Sequence, residues 1–129
     1  METIDVTAAI IKKGDKFLIA KRKQGTHLEG KWEFPGGKIE EFESPEECLV
    51  RELKEEFDIT TKVINFIGES IFNYDDRVIR LLGYQVEFIS GEFKLNDHDE
   101  IRWIIDNEFN KFDFAEADIP FVEKILKGL

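Results

Sequence analysis

The 129-residue sequence has one cysteine, Cys48, together with three prolines and two histidines. A lone thiol excludes an intramolecular disulfide and fits a reducing compartment. No apolar run nears the ~20 residues a membrane-spanning helix needs. The opening METIDVTAAI lacks the basic stretch and long apolar core of a signal peptide. Basic residues are also scarce, 18 against 28 acidic ones, for a formal charge of -10. So acidic a chain is a poor electrostatic partner for a nucleic-acid polymer. A small anionic substrate stays open, because bound cations and local basic side chains override net charge. Repeats, low-complexity tracts and linker-like stretches are missing too. The expectation is one cytoplasmic domain spanning 1–129, with no membrane association and no obligate protein partner.

What is present reads as a mixed α/β domain. Thr3 to Lys12 has the β-branched content of a strand, Lys13-Gly14-Asp15 is a turn, and Phe17 to Arg22 is the hairpin partner. Gln24 to Lys31 is a polar loop. Trp32 to Phe34 is short and extended, ended by Pro35-Gly36-Gly37. Ser44 followed by Pro45 and Glu47 is a capping box with proline in the first helical turn, so a helix is predicted to about Phe57. Asp58 then stands at a boundary where glycine is more usual. Val63 to Phe72, Val78 to Ile89 and Glu100 to Ile105 read as strands, and Asp118 to Lys127 as a second helix. Strands interleaved with two helices imply an α/β fold.

The first helix raises a physical question. Leu49, Leu53 and Phe57, spaced by four, form a stripe that should face the core. Glu52, Glu55 and Glu56 fall within a sector about 100° wide beside it. Like charges four apart cost roughly 0.2–0.5 kcal/mol per pair, and carboxylates near a helix C-terminus oppose its dipole. A hard divalent cation such as Mg²⁺ would offset both penalties. The plainer alternative is a solvated acidic face partly paired with Arg51 and Lys54.

The wider pattern decides between them. Gly37, five residues, Glu43, seven residues, then Arg51-Glu52-Leu53-Lys54-Glu55-Glu56-Phe57-Asp58-Ile59 resembles the Nudix box. Every defined position matches except Asp58, which stands where the family has glycine. The preceding Lys31-Trp32-Glu33-Phe34-Pro35-Gly36-Gly37-Lys38-Ile39-Glu40 is similar to the MutT-type branch. The resemblance is strongest from Phe17 to Ile59. Downstream it rests on Asp76-Arg77, Asp97 to Trp103 and Ala117-Asp118-Ile119-Pro120.

The resemblance implies an α/β/α sandwich around a mixed sheet, with a loop-helix-loop that binds Mg²⁺, or Mn²⁺ in its place. It implies metal ligation by Glu52, Glu55, Glu56 and the Gly36 carbonyl. Gly37, Glu43 and Arg51 would hold the loop to the helix. The reaction would be water attack on a nucleoside triphosphate, giving a monophosphate and pyrophosphate, in the service of nucleotide-pool sanitation and DNA repair. Glu52 is the first choice to handle the water proton, with Asp97 as runner-up and Glu55 in support. Arg22 and Arg77 would meet phosphates, and the Phe34 region and Asp118 the base. Asp118 also suits an N-cap. Substrates of the 8-oxo-dGTP class and of the CTP, dCTP and 5-substituted dCTP class both remain open. Nucleotide sugars, dinucleoside polyphosphates and a noncatalytic nucleotide-sensing module are the alternatives. Cys48 and Phe109, Phe112, Phe114 and Phe121 read as packing residues, and His27 and His98 as ordinary surface residues.

Overall fold

The computed structural model describes residues 2–129. Strands β1 (Thr3–Lys13) and β2 (Lys16–Arg22) form a hairpin across Gly14, whose φ of 64° the turn demands. The short β3 (Trp32–Glu33) pairs antiparallel with β2. Helix α1 (Pro45–Phe57) follows, then the long antiparallel pair β4 (Thr60–Tyr74) and β5 (Arg77–Ser90). Strand β6 (His98–Ile104) returns to pair antiparallel with β2. The sheet runs β3-β2-β1-β5-β4, with β6 on β2, and β1 and β5 are parallel. It is therefore mixed, and the fold is α/β.

Central strand β1 explains the layering. Thr7 to Ile11 are all buried, which requires cover on both faces. Ala8 and Ile10 join one apolar cluster with Phe121 and Ile125 of helix α2 (Ile119–Leu126). Ala9 and Ile11 join the other with Leu49, Leu53 and Phe57 of α1. The predicted stripe on α1 is thus the core face, fully buried at all three positions. Truncating Phe57 there would cost about 3–5 kcal/mol.

The helix ends as its sequence dictates. Ser44 Oγ accepts from the Glu47 N–H at 3.0 Å, and Glu47 Oε1 accepts from the Ser44 N–H at 2.9 Å. Asp58 adopts the left-handed conformation at φ 59° and ψ 37°, its N–H donating to the Lys54 carbonyl. Two lysines clasp its carboxylate, Lys54 at 3.1 Å and Lys94 at 3.5 Å. Asp58 thus tolerates the backbone that glycine more usually supplies at this boundary, and adds ion pairs.

The strands extend a few residues beyond their expected limits, and β6 starts at His98 rather than Glu100. Two 3-10 turns, Asp106–Lys111 and Glu116–Asp118, precede α2, which begins one residue after the predicted start. Phe109, Phe114 and Phe121 are buried and Phe112 packs on the same cluster, as expected of core residues.

Candidate active site

A cavity of about 430 Å³ opens where β1, β2, β3, α1, β5 and the segment before α2 meet. Gly36, Gly37 and Lys38 form one wall. Pro35 and Gly37 carbonyls accept from the N–H groups of Ala9 and Thr7 at 2.7 and 2.8 Å. Extended backbone alternates its carbonyls, so the Gly36 carbonyl faces the other way, and no donor among the described residues meets it. Both glycines are forced by close approach. A β-carbon at Gly36 would lie 1.9 Å from the Thr7 carbonyl oxygen. At Gly37 it would lie 2.3 Å from the Glu52 carboxyl carbon.

Helix α1 presents Glu52, Glu55 and Glu56 unequally. Glu55 is solvated, with a side chain 60% exposed, whereas that of Glu52 is 19% exposed. Glu56 is buried at 6% exposure, and its Oε2 has no hydrogen-bond partner. Burial pushes both the Glu52 and Glu56 carboxyls above the usual carboxylate range. Neighbouring Glu33, Glu52 and Asp97 push Glu56 further, against a smaller opposing pull from Arg22.

Arg51 organises the exposed side of this cluster. Its Nε and Nη2 grip the two Glu43 oxygens at 2.6 and 3.0 Å, a bidentate pair that lowers the Glu43 carboxyl to about 2. Its Nη1 reaches Glu52 at 3.0 Å and Glu55 at 3.2 Å, offsetting part of the repulsion between them. Lys54 turns instead to Asp58. Among the described residues, no three His, Cys, Asp or Glu side chains converge into a ready-made metal cage. The donor set nevertheless suits a divalent cation. Glu56 Oε2 is a buried carboxylate oxygen without a partner, Glu52 is partly desolvated, and the Gly36 carbonyl meets no donor among the described residues. Mg²⁺ takes one or two carboxylates and completes its shell with water and substrate phosphate.

The far side of the cavity is partly apolar. Phe34 is a core side chain at its wall, in ring contact with Phe109 and Phe114. Its N–H donates to Asp118 Oδ2 at 2.9 Å. Asp118 stands at the N-cap position of α2 yet makes no side-chain cap bond. Its carboxyl is held well above the usual range by burial and by Glu33, opposed by the Phe34 N–H and by Arg22. Tyr74 lines the same space and accepts from the Ala117 N–H at 3.0 Å. Asp97 lines the cavity from the loop before β6. Arg77 lines it too, while paired with adjacent Asp76 at 2.9 and 3.1 Å.

Both histidines lie at this cavity, His27 exposed as expected and His98 buried against expectation. His27 sets its ring edge-on to Tyr74 at a centroid distance of 5.3 Å. His98 is buried, stacked on Phe57 at 5.2 Å, with Nε2 2.8 Å from Glu33 Oε2. Its polar neighbours in sequence concealed this. Because β6 begins at His98, strand geometry turns that one side chain inward. Glu33, which the sequence reading left without a role, also bonds Arg22 Nη1 through Oε1 at 2.9 Å. Strand alternation in Trp32-Glu33-Phe34 was the available signal, since it sets Glu33 on the face opposite its two buried aromatic neighbours. Cys48 is a buried packing residue beside Thr7, as expected, and burial raises its thiol to about 11.

A NUDIX domain is matched over residues 1–125. The chain is 35% identical over 126 residues to the CTP pyrophosphohydrolase of Escherichia coli K12, spanning 98% of this chain and 93% of that one. It is 32% identical over 126 residues to the 8-oxo-dGTP diphosphatase of the same organism, spanning 97% and 98%. The solution structure of the E. coli ORF135 protein superposes with a TM-score of 0.85 at 35% identity, covering 98% of this chain and 91% of that one.

Proposed function

The chain belongs to the Nudix family, and we propose that it works as a MutT-type nucleoside triphosphate pyrophosphohydrolase. The observation that carries this reading is the buried, unpartnered Glu56 oxygen at the wall of a cavity that also holds Arg22 and Asp118, with partly desolvated Glu52 one helical turn away outside the lining. Two relatives of 35% and 32% identity bearing the names of such enzymes support it. A free nucleotide is the substrate, in keeping with a charge of -10 that repels polymers. The lone buried thiol suits a cytoplasmic enzyme whose catalytic domain is the chain itself. Among the described residues, no helix is long and apolar enough to cross a membrane.

We assign the metal site to Glu52, Glu56 and the Gly36 carbonyl, with Glu55 joining directly or through water, and Mg²⁺ as its ion with Mn²⁺ as substitute. Such an ion polarises phosphoryl oxygens and lowers the pKa of bound water. The protein does the rest. Arg22 and Arg77 draw the triphosphate into the cavity and balance its charge. Glu52 orients the attacking water and accepts its proton. A new bond forms from water oxygen to phosphorus, the bridging anhydride bond breaks, and pyrophosphate departs. Asp97 is the second candidate for the proton. Glu43 and Arg51 keep the loop docked on α1.

The base lies toward Phe34 and Asp118. A carboxyl with a raised pKa can donate as well as accept, so Asp118 suits a base edge carrying both kinds of group. Cytosine triphosphates and 8-oxo-dGTP both present such an edge. Pyrophosphate release from canonical, oxidised and 5-substituted nucleotides, with Mg²⁺ and with chelator, tests this. Metal-dependent release with one class favoured by kcat/KM is expected. No cleavage of any triphosphate would leave a noncatalytic nucleotide sensor. Hydrolysis of nucleotide sugars or dinucleoside polyphosphates alone would reassign the substrate. Asp118→Ala should reorder the substrates; a uniform loss would deny it contact with the base.

A further inference from the structure

His98 and Glu33 have no part in the chemistry above, yet they meet at 2.8 Å in the lining of the cavity. Arg22 and His98 are cross-strand partners on β2 and β6, just past a register shift between Lys21 and Arg22. The shift re-aims both side chains toward β3, where one carboxylate receives them. Glu33 Oε1 takes Arg22 Nη1 at 2.9 Å, and Oε2 takes His98 Nε2 at 2.8 Å. Arg22 Nε donates to the His27 carbonyl at 2.6 Å. The guanidinium is thus fixed at two points, and no acceptor among the described residues engages Nη2.

The histidine is costly to keep there. Its side chain is 3% exposed, its ring lies flat on Phe57, and its Nδ1 is buried without a partner. An apolar side chain would fill the same space without an orphaned nitrogen. What it would not supply is a donor to Glu33. Without that donor the carboxylate is free to turn, and the Arg22 fork turns with it.

We propose that His98 is a positioning residue, which through Glu33 sets the Arg22 guanidinium in the orientation that receives the nucleotide's phosphates. The proposal rests on the reading that Arg22 binds phosphate. Its effect is on substrate capture: a fork fixed before binding loses less freedom when the triphosphate arrives.

Steady-state kinetics on the best nucleotide test it, using His98→Leu, His98→Gln, Arg22→Ala and the Arg22→Ala/His98→Leu double variant. His98→Leu should raise KM by about tenfold with a much smaller change in kcat. His98→Gln, whose terminal amide reaches the place of Nε2, should return KM to within about twofold of the parent. In the Arg22→Ala background, His98→Leu should add nothing further to KM. A merely structural histidine would instead lower the melting temperature and the active fraction at constant KM. An unchanged KM in His98→Leu, no rescue by glutamine, or independent effects in the double variant would each overturn the proposal. If Arg22→Ala raises KM while His98→Leu does not, only the positioning role falls. If Arg22→Ala leaves KM unchanged, the phosphate role of Arg22 falls first. Should His98→Leu fail to fold, His98→Met replaces it, with the same expected rise in KM, the same silence beside Arg22→Ala and the same overturning outcomes.

Discussion

Gly37 and Glu52 compete for the same space: a β-carbon on Gly37 would lie 2.3 Å from the Glu52 carboxyl carbon and 2.5 Å from its Oε1. The neighbouring Gly36 meets main chain instead, 1.9 Å from the Thr7 carbonyl oxygen. Two adjacent glycines therefore protect different things, one a side-chain position and the other the seating of the loop on β1. Alanine at each should separate them. Gly37→Ala should push aside the flexible end of Glu52, lowering kcat/KM by about a hundredfold while shifting Tm by only about 3 °C or less. Gly36→Ala should cost about 3 kcal/mol of stability, because backbone cannot step aside. Thermal melts and turnover on both variants check this, and similar losses of stability at the two positions would refute it.

Glu52→Gln keeps the shape of the side chain and removes its basicity. Turnover should fall about a thousandfold, with Tm at or above that of the parent, since a partly desolvated carboxylate is replaced by a neutral amide. Near-normal turnover would transfer the proton to Asp97, and Asp97→Asn would then carry the loss.

The Glu43–Arg51 pair governs the acid side of the stability profile. Hydrogen bonding to Arg51 lowers the folded-state carboxyl from 4.5 to about 2. Its contribution is complete above the higher value and fades as pH falls toward the lower one. Glu43→Gln should therefore lose less stability on acidification through that window than the parent does, by urea midpoints. Parallel profiles would mean the pair contributes nothing to folding.

Asp118 acts with the opposite sign. Burial raises its folded-state carboxyl, so ionisation at neutral pH works against the fold. That cost is absent below the ordinary carboxylate pKa and complete above the raised one. Asp118→Asn keeps an acceptor for the Phe34 N–H and cannot ionise. Its urea midpoint should exceed the parent's at about pH 8 and meet it at about pH 4. A lower midpoint at the alkaline end would contradict the assignment.

The parts of this molecule that sequence revealed are those written locally. The capping box at Ser44 and Glu47 and the stripe of Leu49, Leu53 and Phe57 lie within one helix, where spacing fixes geometry, while the Arg51–Glu43 pair followed from the family resemblance. The Asp118 bond to Phe34 joins residues 84 positions apart, and the Glu33 bond to His98 joins residues 65 apart. No periodicity records such a meeting; it arises when β6 and the segment before α2 return to β2 and β3. His98 also sits among polar neighbours, so composition pointed outward while strand register pointed inward. The 3-10 turn Asp106–Lys111 went unread because so short an element carries little pattern of its own.

The end of α1 has one further consequence. Glycine at that boundary would meet the backbone requirement by lacking a side chain, a solution indifferent to the surrounding solution. Asp58 meets it with help from the ammonium groups of Lys54 and Lys94, both well exposed. Dissolved ions screen contacts of that kind. The close of α1 is thereby tied to the ionic strength of the medium, and this chain should hold that turn more firmly in dilute buffer than in brine.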